Sequence, residues 1–282
     1  MINLESDVLK VSVNLFGAEL RSVINKETKE EFMWSGDPKY WGRVSPVLFP
    51  IVGRVSNNEY HYNGERFEMS QHGFLRDQEF VLVSSTDTYA EFSFVSNDAL
   101  LSVYPFKHEV RIAYELVDSK INIHWRVFNL DDQTMYYSIG AHPAFAMKDN
   151  EEYVFELEGS SDVSLITLDG GYVNGTSEFT DRSVEIIVES FIDDALIFTG
   201  LDSVSLINKD SGARVRCAFP GFDYVGLWTS YVDGKLSPFV CIEPWLGITD
   251  EKGGYDELSQ KRSIRALSVG TDESHVYSLE FL

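Results

Sequence analysis

Short runs of alternating apolar and polar residues, separated by turn sequences, most constrain the fold of this chain. The segment from Lys120 to Asn129 shows the pattern clearly, because apolar side chains occupy every second position and would share one face of a strand. Those side chains are Ile121, Ile123, Trp125 and Val127. Turn-forming residues recur between such runs, as in Asn63-Gly64, Asp118-Ser119, Asp169-Gly170-Gly171, Asp210-Ser211-Gly212 and Asp233-Gly234. The sequence therefore predicts an all-β fold, an antiparallel sandwich or barrel.

The domain organisation follows from what interrupts these runs. The 282 residues contain no Pro-, Ser- or Gly-rich linker, no low-complexity tract and no detectable repeat. All-β domains of this length are common. We therefore predict a single domain over residues 1–282 with few short helices, around Pro38 to Trp41 and Asp256 to Arg262.

The formal net charge of −22 restricts the possible partners. A strongly acidic protein repels nucleic acid and anionic membranes, so neither is a predicted partner. A small anionic ligand held by a local arginine cluster remains compatible with this charge.

The cysteines and the N-terminus bear on location. Cys217 and Cys241 lie in apolar runs and show no CxxC or Cys/His spacing, which is typical of reduced core residues. Residues 1–7 lack the basic and apolar regions of a signal peptide, and no apolar stretch is long enough to span a bilayer. We predict a soluble, cytoplasmic protein.

Two histidines and one glutamate are the strongest candidates for chemistry. His72 precedes Gly73 and His142 precedes Pro143, and such chain breaks at strand ends are where a rigid scaffold presents working side chains. Glu243 lies in a strand that is apolar on both faces, so burial should raise its pKa towards the range of a general base. A His–Glu pair can transfer protons at neutral pH without metal or cofactor. We interpret the other histidines (His61, His108, His124 and His275) as structural or surface residues.

Other chemistries lack support in the sequence. The chain has no His-x-His or His-x-x-x-His spacing for a metal, so no metal site is predicted. It also has no Gly-x-Ser-x-Gly nucleophile elbow and no glycine-rich phosphate loop. A glycosidase carboxylate pair stays open, because Asp and Glu are abundant.

With these three residues in place, the chain resembles the aldose 1-epimerase (galactose mutarotase-like) family, in its LacX-like branch. The resemblance rests on short motifs that follow one another in the family's order. These are residues 14–20 (NLFGAEL), 40–43 (YWGR), 45–54 (SPVLFPIVGR), 72–74 (HGF), 140–145 (GAHPAF) and 241–245 (CIEPW). The resemblance implies a large antiparallel β-sandwich and a hexose as the small-molecule partner.

The resemblance also implies roles for individual residues. Glu243 matches the general base that removes the proton of the C1 hydroxyl, and His142 matches the general acid that protonates the ring oxygen. His72 matches a substrate-orienting histidine, and Asp194 is the best match for an aspartate that binds sugar hydroxyls, chosen over Asp193 from the hydrophobic register. No cofactor is implied. The acid requires an imidazole that is protonated near neutrality, and a strand-end histidine is expected to provide it.

Two departures from the family pattern leave alternatives open. Where galactose mutarotases carry an Asn-Arg pair this chain has Asn57-Asn58, and Arg54 is our candidate for the missing guanidinium. Arg76 has the spacing of a phosphate-clamping arginine in the hexose-6-phosphate epimerases, although it is equally compatible with pairing to Asp77. A hexose-6-phosphate 1-epimerase and a non-catalytic sugar-binding protein are therefore the alternatives. The sequence leaves open the preferred sugar, the oligomeric state and any sugar stacking by Trp41, Trp245 or Tyr255.

Overall fold

A computed structural model describes residues 1–192, 194–255 and 257–282, with the side chain of Ser161 outside the description. Strands dominate these residues. In the first half of the chain they are β1 (Ile2–Glu5), β2 (Leu9–Val13), β3 (Leu20–Asn25), β4 (Val47–Leu48), β5 (Glu59–Tyr62), β6 (Glu65–Glu68), β7 (Val81–Ser85), β8 (Tyr89–Val95), β9 (His108–Val117), β10 (Lys120–Asn129), β11 (Met135–Tyr137), β12 (Ile139–Ala141) and β13 (Ala144–Ala146).

The second half continues in the same way. Its strands are β14 (Tyr153–Asp169), β15 (Tyr172–Glu178), β16 (Ser183–Glu185), β17 (Leu196–Asn208), β18 (Gly212–Ala218), β19 (Tyr224–Trp228), β20 (Tyr231–Val232), β21 (Lys235–Leu236), β22 (Phe239–Leu246), β23 (Arg265–Leu267) and β24 (Asp272–Phe281).

One large antiparallel sheet carries most of these strands. Its main path runs β4-β12-β22-β19-β17-β18-β24-β10-β9-β8-β7, with β13 also on β22, and with β14 joining β15, β16 and β17. A separate three-stranded sheet, β1-β2-β3, buries apolar residues in the same core as the large sheet. Leu4 and Val11 of the small sheet and Phe92 and Trp125 of the large sheet belong to that core. The predicted all-β sandwich is confirmed.

The alternation of β10 decides which side chains enter the core. The four apolar residues predicted to share one face are all fully buried, whereas Lys120 and Arg126 are exposed. Cys217 and Cys241 are free and buried, as predicted. Burial of alternate side chains thus explains why the sequence pattern identified these strands.

Helices are few and short within the described residues. They are α1 (Asp98–Leu101) and four 3₁₀ helices, Ser56–Asn58, Leu75–Asp77, Val188–Phe191 and Leu258–Gln260. The predicted helix at Pro38 to Trp41 is wrong: the segment is a turn, in which the N–H groups of Tyr40 and Trp41 both donate to the Asp37 carbonyl. Of the predicted helix from Asp256 to Arg262, Asp256 lies outside the described residues and only the 3₁₀ turn at Leu258–Gln260 forms. Among the described helices, none is both long and apolar enough to cross a bilayer.

Candidate active site

Strands β12 and β13 act as one interrupted strand along β22. Gly140 of β12 lies opposite Trp245, and Ala144 of β13 lies opposite Cys241, so the register is the same on both sides of the break. The break contains Pro143, which has no N–H to give to a sheet ladder. Local backbone chemistry thus opens a gap in the pairing without shifting the strands.

His142 lies inside this gap and faces Glu243 across it. The shared register places the two residues opposite each other, and the His142 Nε2 atom is 3.2 Å from the Glu243 Oε2 atom. Both side chains are buried, with 9% and 2% of their surfaces exposed. The proximity predicted from the sequence is therefore a consequence of antiparallel pairing between strands that are about 100 residues apart.

Burial disfavours charge on both members of this pair. Desolvation raises the pKa of Glu243 well above 4.5, and the negative charge of Asp194 adds to the effect. Desolvation lowers the pKa of His142 well below 6.5, and His72 and Arg76 add to that effect. Burial therefore favours the neutral form of the pair, a protonated carboxyl group beside a neutral imidazole. The prediction of an imidazolium from the strand-end position took no account of this burial, which acts against it.

Two glycines make room for the indole ring of Trp245, which is two residues after Glu243 on β22. Gly226 of β19 lies opposite Glu243, and a Cβ atom there would be 2.7 Å from the Trp245 ring. A Cβ atom on Gly140 would be 2.6 Å from the same ring. Trp245 is thus held between two strands, next to the carboxylate that it helps to bury.

His72 is held against the segment from Phe49 to Gly53. Its backbone has φ +67°, its N–H donates to the Gly53 carbonyl at 2.8 Å, and its Nδ1 atom accepts from the Gly53 N–H at 3.1 Å. The next residue, Gly73, has no room for a side chain, because a Cβ atom there would lie 2.1 Å from the Phe49 carbonyl oxygen. Burial and the charges of nearby arginines lower the pKa of His72 to about 3. Its ring is therefore neutral. Because Nδ1 accepts from Gly53, the proton lies on Nε2, which is 3.2 Å from the side-chain amide group of Gln71.

Arg54 is positioned by Thr249. The Arg54 N–H donates to Thr249 Oγ1 at 3.1 Å, and that hydroxyl donates to the Gly171 carbonyl at 2.9 Å. The guanidinium lies beside the Gly171 backbone, since a Cβ atom at Gly171 would be 3.2 Å from Arg54 Nη1. The turn between β14 and β15 thus supports the candidate arginine from one side.

The Arg76 guanidinium has an N–H group, at Nε, that makes no hydrogen bond to the described residues. Its Nη2 donates to the Gln71 carbonyl at 2.8 Å, while its buried Nε has no hydrogen-bond partner among the described residues. The Asp77 carboxylate is 3.9 Å from Nε and pairs instead with Arg43 at 2.9 Å. Burial lowers the pKa of Arg76 to about 10, so it stays charged at neutral pH. The alternative interpretation, in which Arg76 serves only to pair with Asp77, is therefore not favoured.

Asp194 completes the predicted set from the segment that precedes β17. It is exposed, precedes β17 and has φ +91°, and its Oδ1 atom accepts from the Ala195 N–H at 3.0 Å. Its charge acts on Glu243, as described above. Asp193, the other aspartate considered from the sequence, lies outside the described residues.

One open cleft, with a cavity volume of about 330 Å³, is lined by all six predicted site residues. Its size is typical of a small-molecule site. Sequence reasoning missed Trp228, Gln71 and Thr249, which also line it, and left Trp41 and Trp245 undecided. The Trp41 ring stacks on the His142 ring at 4.6 Å and 25°. Tyr255 lies in a separate hollow, beside Asp250 and Lys261.

Comparisons with known proteins identify the family of the chain. The family model described as aldose 1-epimerase matches residues 1–251. Plasmid and chromosomal forms of protein LacX from Lactococcus lactis subsp. lactis are each 31% identical over 267 residues, covering 88% of both chains.

Solved structures share the fold over the whole chain. A galactose mutarotase related enzyme from Lactobacillus acidophilus has a TM-score of 0.95 and 33% identity, covering 100% of this chain and 97% of its own. A galactose mutarotase-like protein from Lactobacillus casei has a TM-score of 0.94 and 25% identity, with 100% of both chains covered.

Proposed function

The chain belongs to the aldose 1-epimerase family, and from this premise we propose that it interconverts the α and β anomers of a free hexose. One observation carries the proposal: His142 and Glu243 are in contact at 3.2 Å on the wall of an open cleft. The proposed reaction needs one proton removed and one supplied, and this pair holds one proton. It requires no cofactor, because anomers already interconvert slowly in water.

The proposed proton transfers conserve the charge of the pair. The Glu243 carboxylate takes the proton of the C1 hydroxyl while the His142 imidazolium gives its proton to the ring oxygen, and the C1–ring oxygen bond breaks. Rotation about C1–C2 presents the other face of the aldehyde. Reverse transfers close the ring and restore the pair.

The reactive form differs from the form that burial favours by one proton transfer between two atoms that are 3.2 Å apart. Sugar hydroxyls that donate to the Glu243 oxygens stabilise the carboxylate and favour movement of its proton to His142. His72 Nε2–H and the Arg54 guanidinium are donors for the remaining sugar oxygens, and Asp194 is an acceptor. Trp41 stacks on the imidazole and stabilises its cationic form.

Polarimetry with α-D-glucose and α-D-galactose tests the proposal. We expect the wild-type protein to accelerate the change in rotation above the buffer rate. Glu243→Gln and His142→Asn should each lower the enzymatic rate at least about 100-fold, a typical contribution of a positioned acid or base. A wild-type rate equal to buffer overturns the proposal, and calorimetric sugar binding without turnover would favour the non-catalytic alternative.

An exposed pair on the opposite part of the large sheet provides matched controls. His124 Nε2 lies 3.5 Å from Glu115 Oε2, and both side chains are over 40% exposed. Glu115→Gln and His124→Asn make the same chemical changes outside the cleft, so both should retain the wild-type rate. Equal losses in the control variants would show that the effect does not come from the cleft pair.

A phosphorylated hexose is the second candidate substrate, favoured by the spare capacity of Arg76. Arg76 and Arg54 both line the cleft, and Arg76 Nε has no hydrogen-bond partner among the described residues. Arginine presents a planar set of donors that matches phosphate. This reading places positive charge at one end of the cleft in a protein whose net charge is −22.

Rates for glucose and glucose 6-phosphate separate the two substrates. Arg76→Ala should lower kcat/KM for the phosphorylated sugar at least about 10-fold, the loss expected for one charged hydrogen bond, and leave glucose nearly unchanged. Arg66→Ala is the control, because Arg66 is an exposed arginine outside the cleft lining. Equal losses for both sugars in Arg76→Ala would remove the phosphate role.

A further inference from the structure

A cysteine lies directly beside the proposed acid–base pair. Cys241 and Glu243 are two residues apart on β22, so their side chains point to the same face of the sheet. The Cys241 sulfur, a ring nitrogen of His142 and a carboxylate oxygen of Glu243 all lie within 4.8 Å of one another. Nitrogen, sulfur and oxygen donors in this combination form the ligand set that Zn²⁺ takes in proteins.

One separation within the cluster matches that expected in a tetrahedral site. Zinc bonds to His and carboxylate atoms of about 2.0–2.1 Å imply a separation of roughly 3.3 Å between those two ligand atoms. The observed separation between His142 Nε2 and Glu243 Oε2 is 3.2 Å. The Cys241 sulfur, within 4.8 Å of both other ligand atoms, is the candidate third ligand. The fourth position faces the cleft, because His142 and Glu243 both line it.

We propose that His142, Cys241 and Glu243 form a binding site for Zn²⁺ and similar thiophilic divalent cations, and that occupancy inhibits the enzyme. The inhibitory part rests on the proposed function, whereas binding does not. A metal held by His142 Nε2 and the Glu243 carboxylate occupies both groups that transfer protons to the sugar. Binding releases two protons to solvent, the thiol proton of Cys241 and the proton that the His142–Glu243 pair holds, so the sulfur ligates as a thiolate and Glu243 as a carboxylate. Mg²⁺ prefers six oxygen ligands and does not fit this donor set.

The experiment uses Co²⁺ as a spectroscopic probe and Zn²⁺ as the inhibitor, after removal of metals with a chelator. Wild-type protein with one equivalent of Co²⁺ should show a near-ultraviolet thiolate-to-cobalt charge-transfer band that Zn²⁺ abolishes. Cys241→Ala should lose this band, whereas Cys217→Ala, which alters the other buried cysteine, should keep it. Circular dichroism checks that both variants fold, and Cys241→Ser replaces Cys241→Ala if the alanine variant does not.

Inhibition is measured for each protein relative to its own metal-free rate. The Zn²⁺ concentration for half-inhibition should rise at least tenfold in the Cys241 variant and stay unchanged in Cys217→Ala, while Mg²⁺ should have no effect at the same concentrations. Absence of the cobalt band in wild-type protein, or equal zinc sensitivity with and without Cys241, overturns the inference. A cobalt band without metal-free mutarotation contradicts the proposed function and the inhibitory role, but leaves the binding site standing.

Discussion

At the scale of single residues, the candidate site places a carboxyl group where its charge is unfavourable. Glu243 is 1% exposed and lies on a strand whose eight residues are all buried. Its raised pKa means that the folded protein holds a proton that the unfolded chain releases above about pH 4.5. Folding stability contributed by this group is therefore greatest below pH 4.5 and falls as the pH rises. Such a conflict between stability and charge placement is typical of functional sites.

Glu243→Gln should therefore stabilise the fold at alkaline pH while lowering the proposed activity. Between pH 4.5 and the raised pKa, the wild-type protein loses unfolding free energy through this residue as the pH rises, and glutamine does not titrate. We expect Glu243→Gln to have the higher melting temperature at pH 8, with the difference shrinking towards pH 4.5. Thermal denaturation of both proteins at several pH values measures this difference in melting temperature. Glu115→Gln, on an exposed side chain, should show no comparable gain, and a lower melting temperature of Glu243→Gln at pH 8 would contradict the argument.

At the scale of elements, β22 organises the site because strands pair with it on both sides. β12 and β13 bring His142 to one side of Glu243, and β19 brings Gly226 to the other. Gly226 has no positive φ, so its importance lies only in the space occupied by the Trp245 indole. A side chain at this position forces either the indole or β19 to move.

Gly226→Ala is expected to destabilise the protein by about 1–3 kcal/mol, the usual effect of overpacking a rigid core position. The new methyl group would lie 2.7 Å from the Trp245 ring, which also lines the cleft, so sugar binding should weaken as well. Gly42→Ala is the matched control, because its methyl group would be no closer than 3.8 Å to any neighbour. Urea denaturation compares the two variants, and equal stability of Gly226→Ala and wild-type protein would contradict the packing argument.

At the scale of the whole molecule, the cleft combines residues from segments that are distant in sequence. Period-two alternation predicted the sheet because burial acts on each strand locally, as β10 shows. The apolar surroundings of Glu243 likewise predicted its raised pKa. The positions of Trp228 and Thr249 in the cleft could not be predicted, because they depend on which strands pair and how loops pack. The depth of His142 was missed for the same reason, since burial there comes from Trp41 and β22.

A buried ion pair in the segment that follows β22 connects the cleft to the C-terminal part of the chain. Lys261 Nζ donates to Asp250 Oδ1 and to the Ile248 carbonyl, each at 2.6 Å, and both charged side chains are at most 5% exposed. Asp250 Oδ2 in turn accepts from the Ser56 N–H at 2.9 Å, and the Asp250 N–H donates to the Arg54 carbonyl at 2.9 Å. Lys261 therefore positions the loop that carries the cleft arginine without lining the cleft itself.

Removing Lys261 should affect both stability and the cleft. Lys261→Met leaves Asp250 buried without its cation, and breaking a buried pair in this way costs about 3–5 kcal/mol. Adding Asp250→Asn should recover part of that loss, because the uncompensated charge disappears while an amide oxygen can still accept from the Ser56 N–H. Urea denaturation of the two single variants and the double variant gives the coupling energy between the residues.

Because the pair acts on Arg54 through the backbone, Lys261→Met should raise the KM for the hexose more than it lowers kcat. A loss confined to kcat, or additive effects of the two substitutions on stability, would contradict this positioning role.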